Sequence, residues 1–221
     1  MSDIQCGDGM RNGTEACDDG NTANNDGCNS VCTVEAGRSC TTASPSVCTL
    51  LPSATGLRLH YDGSMSGTGF ADISGSGNHG VRMNGVTTGL QNGEVIMCFN
   101  GTNQYIERVN NLTTAYPFTM SAWVKSSTTA GVHGIMSFAR STATNIMYNI
   151  EHTGTTIRSN AQNTVARYAN ATTALNTTQW FLVTAVYSTA TSRTIYVNGV
   201  SEGTNTNNVA YDANVTKRLN V

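Results

Sequence analysis

The sequence predicts an all-β protein: an antiparallel β-sandwich preceded by a small disulfide-rich module. Three observations predict it. The stretch Trp180–Gly203 (WFLVTAVYSTATSRTIYVNGVSEG) reads as a strand, a polar loop, a second strand, a tight turn and the start of a third. Short strand-like runs separated by Gly, Asn, Ser and Thr recur along residues 57–221, and no run reads as a long helix. Six of the seven cysteines fall within the first 50 residues.

In the first of these stretches, Trp180–Tyr187 is apolar or β-branched on both faces, which suits a buried sheet position. Ser188–Ser192 is a polar connection. Arg193–Val197 then alternates, with Ile195 and Val197 on one face and Thr194 and Tyr196 on the other. Asn198-Gly199 tolerates φ > 0 at both central turn positions, the strongest short hairpin signal.

Composition excludes several function classes. Charged residues are 12% and the net charge is −2, so neither a nucleic-acid footprint nor a basic membrane patch is indicated. No apolar run is long enough for membrane insertion by a helix. Met1–Gln5 runs straight into Cys6 with no signal peptide, whereas the cysteines suit an oxidising compartment. A fragment or processed form of a longer exported protein reconciles the two.

The head, residues 1–50, holds Cys6, Cys17, Cys28, Cys32, Cys40 and Cys48 among few large apolar side chains. A module this small needs staples. Disulfides are expected rather than zinc, because the pattern has no Cys-x-x-Cys pair and the first histidine is His60. Spacing alone leaves the pairing open. Asp18, Asp19, Asn21, Asn25 and Asp26 gather hard oxygens between two cysteines. They are read either as calcium ligands or as turn formers that cap backbone amides. The EF-hand register is missing.

The head also carries a resemblance. Cys6-Gly7-Asp8-Gly9, Cys17-Asp18-Asp19-Gly20-Asn21, Asn25-Asp26-Gly27-Cys28 and Cys32-Thr33-Val34-Glu35-Ala36-Gly37 resemble the Myxococcus-type cysteine-rich repeat. The resemblance implies a secreted or surface bacterial protein, beside other extracellular modules, rather than a particular activity.

Thr49–Gly56 contains Pro52 and reads as a joint, with the linker proper at 51–56. The sandwich, 57–221, is expected to run through strands at Leu57–Tyr61, Val81–Val86, Glu94–Phe99, Gln104–Val109 and Phe118–Lys125. Gly134–Arg140, Asn145–Glu151, Thr155–Asn160 and Val165–Ala169 follow, before the Trp180 meander. On Phe118–Lys125, Phe118, Met120, Ala122 and Val124 share one face, and Thr119, Ser121 and Trp123 the other. Cys98 is expected to be a buried, reduced thiol beside Ile96.

Four pieces in order resemble a LamG-like jelly roll, the concanavalin A-like lectin/glucanase fold. They are Asp72-Ile73-Ser74-Gly75 with Asn78 and Gly80; Phe99-Asn100-Gly101 with Tyr105-Ile106; Phe118-Thr119-Met120-Ser121-Ala122-Trp123-Val124; and the Trp180 meander with its Tyr-Val-Asn-Gly turn. The resemblance covers roughly Leu57 to Val221. It implies a domain truncated at Asn220-Val221, before a closing strand, and a second calcium locus around Asp72 and Asn78.

The fold also hosts glucanases, so activity must be argued from residues. Retaining glycosidases need two carboxylates about 5–5.5 Å apart. None of Glu94, Glu107, Glu151 and Glu202 has a second acid two or four residues along its strand. There is no Gly-x-Ser-x-Gly, and His60, His79, His133 and His152 are scattered. The expected function is therefore a non-catalytic extracellular or cell-surface module recognising carbohydrate or an extracellular protein. A spacer module of a surface protein, and an accessory domain of a secreted glycoside hydrolase, are the alternatives. Tyr148, Asn149, His152, Arg158 and Tyr168 supply aromatics and amides suited to a sugar. The sequons at Asn12, Asn100, Asn111, Asn170, Asn176 and Asn214 read as incidental in a chain so rich in Asn and Thr.

Overall fold

The computed structural model describes residues 5–24, 26–35, 38–50, 56–109, 112, 115–140, 146–211 and 217–220. Side chains at 49, 50, 140 and 217–220 are outside that description. Asn25, most of the 51–56 joint, Asn111, Asn145 and Asn214 also lie outside the described residues. The chain divides into two compact units, Met1–Arg58 and Leu59–Val221.

The first unit is built around sulfur. Cys6–Cys32, Cys17–Cys28 and Cys40–Cys48 form three disulfides. Cys17, Cys28 and Cys32 are buried, with the other three packed against them. Strands β1 (Arg38–Cys40) and β2 (Cys48–Leu50) form a hairpin in which Cys40 and Cys48 are cross-strand partners. Each closed loop removes chain entropy that the apolar content alone is too small to offset.

The second unit is all antiparallel strand. In order these are β3 (Met65–Ser66), β4 (Gly69–Phe70), β5 (Val81–Met83), β6 (Thr87–Gln91), β7 (Glu94–Cys98), β8 (Tyr105–Val109) and β9 (Phe118–Val124). β10 (Val132–Arg140), β11 (Ile146–Thr153), β12 (Thr156–Asn163), β13 (Val165–Ala174), β14 (Phe181–Thr189), β15 (Ser192–Val197), β16 (Val200–Asn205) and β17 (Lys217–Asn220) follow. Among the described residues, seven strands form one sheet in the order β13-β12-β11-β10-β17-β8-β5, and four form the other, β16-β15-β14-β9. Two-stranded pairs β3–β4 and β6–β7 complete the described strands of this unit.

The two larger sheets bury one core. Met120 from β9 and Val183, Ala185 and Tyr187 from β14 meet Phe138, Tyr148, Ile150, Ile157, Ala161 and Ala169 from the larger sheet. The predicted faces of β9 hold: Met120 is buried, whereas Trp123 is 64% exposed. β14 alternates buried and half-buried positions, so one face rather than both lies in the core. Arg193 is also on the inner face and 1% exposed, which the sequence did not signal. Its Nη2 donates to Asn205 Oδ1 and to the Asn207 carbonyl at 2.6 Å each. The Asn198-Gly199 turn has φ values of 50° and 82°, as its residues demand.

At one side of the sandwich the outer strands β13 and β16 meet. Glu202 accepts from the Thr172 and Thr173 amides at 2.9 and 2.7 Å, and from both threonine hydroxyls. Asn205 Nδ2 donates to the Tyr168 carbonyl at 2.8 Å. The approach is so close that a Cβ on Gly203 would lie 2.0 Å from the Asn170 carbonyl oxygen.

Several expectations are corrected. Leu57–Tyr61 forms no strand: His60 N donates to Asp72 Oδ1 and its carbonyl accepts from Ile73, so its backbone serves a turn and not a ladder. The Val81 strand ends at Met83, because Asn84 and Gly85 turn the chain with φ of 57° and 82°. Cys98 is a free thiol but half-buried rather than buried. Beside these corrections, Lys217–Asn220 pairs with both β10 and β8 in the interior of the larger sheet.

Candidate functional site

The side-chain alternation of β11, β12 and β13 divides the five predicted ligand-binding residues between two faces. Tyr148 and His152 point inward. Tyr148 is fully buried in an aromatic cluster, 5.1 Å from the Phe118 ring and 5.5 Å from Tyr187. His152 is 1% exposed, with Nδ1 3.0 Å from the Gly154 carbonyl, Nε2 3.3 Å from Ser126 Oγ and its ring stacked on His133. The expectation that Tyr148 and His152 contact a ligand is thereby corrected: both belong to the interior.

Asn149, Arg158 and Tyr168 stay together on the outward face of the seven-stranded sheet. Antiparallel register sets Asn149 opposite Ser137 and Asn160, and Asn160 opposite Tyr168. A second row runs Gly134, Glu151, Arg158 and Asn170. Within these rows Arg158 Nε and Nη2 both reach Glu151 Oε1, at 2.7 and 2.6 Å. Asn149 Nδ2 donates to Glu151 Oε2. The Arg158 guanidinium lies 4.0 Å from the centre of the Tyr168 ring, a cation–π contact. Asn160 Oδ1 accepts from the Arg167 amide at 3.1 Å.

The depth of this face is unusual for an outward position. Asn149 is 5% exposed, Glu151 9% and Asn160 2%, while Tyr168 is 36% exposed. Asn149 Oδ1 is buried without a hydrogen-bond partner. At Gly134, beside Glu151, an added Cβ would meet nothing within 4 Å, so that end of the second row is open. Glu151 and Asn160 were missed in the sequence. Their signal is the period-2 relation to Asn149 and the pairing of Asn160 with it, visible only once the register is known.

The expected metal ligands serve other ends. Asp18 accepts from Gly7 at Oδ2 and from Gly9 and Gly20 at Oδ1, at 2.9–3.0 Å. Burial opposes its charge, but the Gly20, Gly9 and Gly7 amides prevail and hold its carboxyl below the usual range. Asp19 accepts from the Cys28 amide and from Asn21 Nδ2, while Asn21 Oδ1 accepts from Ala23. Asp26 is exposed. In the second unit Asp72 accepts from the His60, Ser74 and Asn78 amides, at 2.8–2.9 Å. Its pKa is lowered too: burial opposes the charge and the surrounding donors outweigh it. The Asn78 carbonyl accepts from Tyr61.

One acidic group does converge. Glu15, Asp18 and Cys32 bring ligand-type atoms within 4.8 Å of one another. The Cys32 sulfur is in a disulfide and offers no thiolate. The Asp18 oxygens already take three amides. Only the two carboxylates of this group offer oxygens, against the roughly six to eight that calcium takes, although Glu15 Oε1 is buried without a hydrogen-bond partner.

Comparison with known proteins places the fold. Three solved structures share it over 73% of this chain. One, on cell entry of botulinum neurotoxin type C and its dependence on two ganglioside molecules, is 14% identical with a TM-score of 0.55 and 41% of that chain covered. The binding domain of botulinum neurotoxin DC in complex with SialylT is 15% identical, with a TM-score of 0.53 and 42% covered. The binding domain of Paraclostridial mosquitocidal protein 1 is 12% identical, with a TM-score of 0.50 and 47% covered. The chain thus spans less than half the length of these structures. No curated protein matches the chain. A family model described as the concanavalin A-like lectin/glucanases superfamily matches residues 100–221, more than half of the sequence. On that match, and on the two packed antiparallel sheets, the chain belongs to the concanavalin A-like lectin/glucanase superfamily.

Proposed function

We propose that the chain is a non-catalytic extracellular binding module whose sandwich recognises carbohydrate, or a surface protein, through the outward face of β10–β13. One observation carries this reading: the side chain of Asn149 is held in place by Glu151, with its own oxygen buried and unpaired. A buried polar atom without a partner costs about 1–3 kcal/mol, which a ligand donor would recover. Tyr168 adds a half-open aromatic surface at the edge of the same rows. A neurotoxin of this fold depends on gangliosides and another is complexed with SialylT, a precedent for glycan contact on such a scaffold.

The chemistry of the face favours binding over hydrolysis. Glu151 is tied to Arg158, and its same-face neighbours are Asn149, Thr153, Gly134 and Arg158. A retaining glycosidase requires a second carboxyl about 5–5.5 Å away. The disulfide-stapled head, 1–50, joined through 51–56 to the sandwich at 57–221, supports an extracellular or bacterial-surface location. Its likeness to the Myxococcus-type repeat supports the same location. Neighbouring domains of a longer chain are part of this proposal. Calcium has no place in the binding reading.

A glycan array run beside a reducing-sugar release assay on the same polysaccharides tests it. Binding by the wild-type chain, lost in Tyr168→Ala and without sugar release, is the expected result. Sustained release of reducing sugar would refute the non-catalytic reading, and absence of glycan binding would favour a spacer.

A further inference from the structure

Resting on the assignment of this face as the binding surface, we infer that its ligand is an uncharged glycan that donates a hydroxyl to Asn149 Oδ1, and not a glycan bearing a carboxylate. Three features carry the selectivity. First, the amide of Asn149 has one workable orientation. Its Nδ2 faces Glu151 Oε2; turning it over would set two acceptors against each other. The atom left for a ligand is therefore an acceptor, buried in a residue only 5% exposed. It is complemented by an O–H or N–H and opposed by any oxyanion.

Second, the positive charge of the face is already matched. Glu151 and Arg158 are the charged residues in the two rows, and both Nε and Nη2 of Arg158 are directed at Glu151 Oε1. A sugar carboxylate arriving here would meet the Glu151 carboxylate and the Asn149 carbonyl oxygen. The guanidinium that would otherwise receive it is engaged and laid across Tyr168. Third, there is room. Gly134 stands opposite Glu151 with no atom within 4 Å of where its Cβ would be, and its backbone is not in the left-handed region. A ligand group has room above Gly134, beside Glu151, and reaches Asn149 Oδ1 only as the side chains over that atom give way.

The test is titration of the full 221-residue chain with galactose-terminated oligosaccharides and with the same oligosaccharides capped by sialic acid. The uncapped series is expected to bind about tenfold more tightly or better, since a buried acceptor left facing an oxyanion loses its pairing. Gly134→Phe fills the open end without backbone strain, and Asn149→Leu removes the acceptor. Each should weaken the uncapped ligands about tenfold or more while the far-ultraviolet spectrum stays unchanged. Glu151→Gln should narrow the preference by leaving Arg158 in excess. Equal or tighter binding of capped ligands, abolished by Gly134→Phe, would overturn the ligand class and leave the face as the site. Binding of either series unaltered by both Gly134→Phe and Asn149→Leu, or no binding at all, would overturn the site assignment and the ligand class together.

Discussion

Replacing Tyr187 with Phe isolates one contact that ties the core to the proposed binding face. Tyr187 is fully buried on β14, and its hydroxyl lies 3.0 Å from the Asn149 carbonyl and 2.9 Å from the Asn160 carbonyl. A single hydroxyl hydrogen is shared between two main-chain acceptors on adjacent strands, beneath the two asparagines of the site. Phe preserves the ring, and with it the stacking on Phe118 at 4.7 Å, so apolar packing is conserved. What is lost is the donor, and two carbonyls in a dry interior lose a partner. Such a loss costs about 1–3 kcal/mol. For a domain of this size about 2 kcal/mol lowers the melting temperature by roughly 4–8 °C. Trp123 and Trp180, the two tryptophans of the chain, both lie in the second unit and report its urea unfolding by fluorescence. The expected result is a lower midpoint with an unchanged slope. A midpoint equal to wild type at the same slope would refute the tie.

Other outcomes follow from the same structure. Gly203→Ala should be severely destabilising, because the new methyl would meet the Asn170 main chain, which has no free end to swing aside; soluble expression and melting temperature report it. Burial, more than the neighbouring His133, holds the His152 pKa below its ordinary 6.5. The stability supplied by its neutral form is thus complete above pH 6.5 and is lost as pH falls toward the folded-state value. His152→Gln should flatten that part of the pH–midpoint curve. Glu202 is also shifted down: burial acts against its charge, but the Thr173 and Thr172 donors together outweigh it. Its contribution is present above pH 4.5 and falls away in more acid solution, and Glu202→Gln should remove this dependence. EGTA is expected to leave the melting temperature unchanged, as the Asp18 and Asp72 oxygens are occupied by amides; a drop would show a calcium site elsewhere.

The sandwich was legible wherever strand period and turn chemistry coincide. The Arg193–Val197 strand with its Asn198-Gly199 turn and the Phe118 strand have faces that follow from the residues alone, whereas Trp180–Tyr187 reads as apolar on both sides and alternates only in the fold. The same Asn-Gly signal at Asn92-Gly93, with φ of 53° and 85°, went unread because Thr87–Gln91 carries a glycine at its centre and few apolar side chains. The candidate site was half legible. Asn149, Arg158 and Tyr168 share a face, but β11 is buried on both sides from Tyr148 to His152, so burial does not alternate and its two faces look alike in sequence. The role of Glu151 depends on register with Arg158, a tertiary fact. In the head, Asp18 and Asp19 read equally as cation ligands and as turn formers because calcium and backbone amides ask the same thing of a carboxylate, and the Gly7, Gly9 and Cys28 amides they accept from are distant in sequence.

The seam between β13 and β16 gives the sandwich a bound spine. Two sheet rims that would otherwise offer unpaired backbone to other chains are stitched to each other by Glu202 and Asn205. Opening of the two layers is then expected to proceed like a book, from the far edges formed by β9 and β5, with the spine parting last. Amide hydrogens along Thr172–Thr173 and Val200–Asn205 should accordingly be among the slowest to exchange, although they sit at the rims of their sheets, where fraying ordinarily begins. The rows proposed to bind lie between that spine and the middle of the larger sheet, where the scaffold gives least.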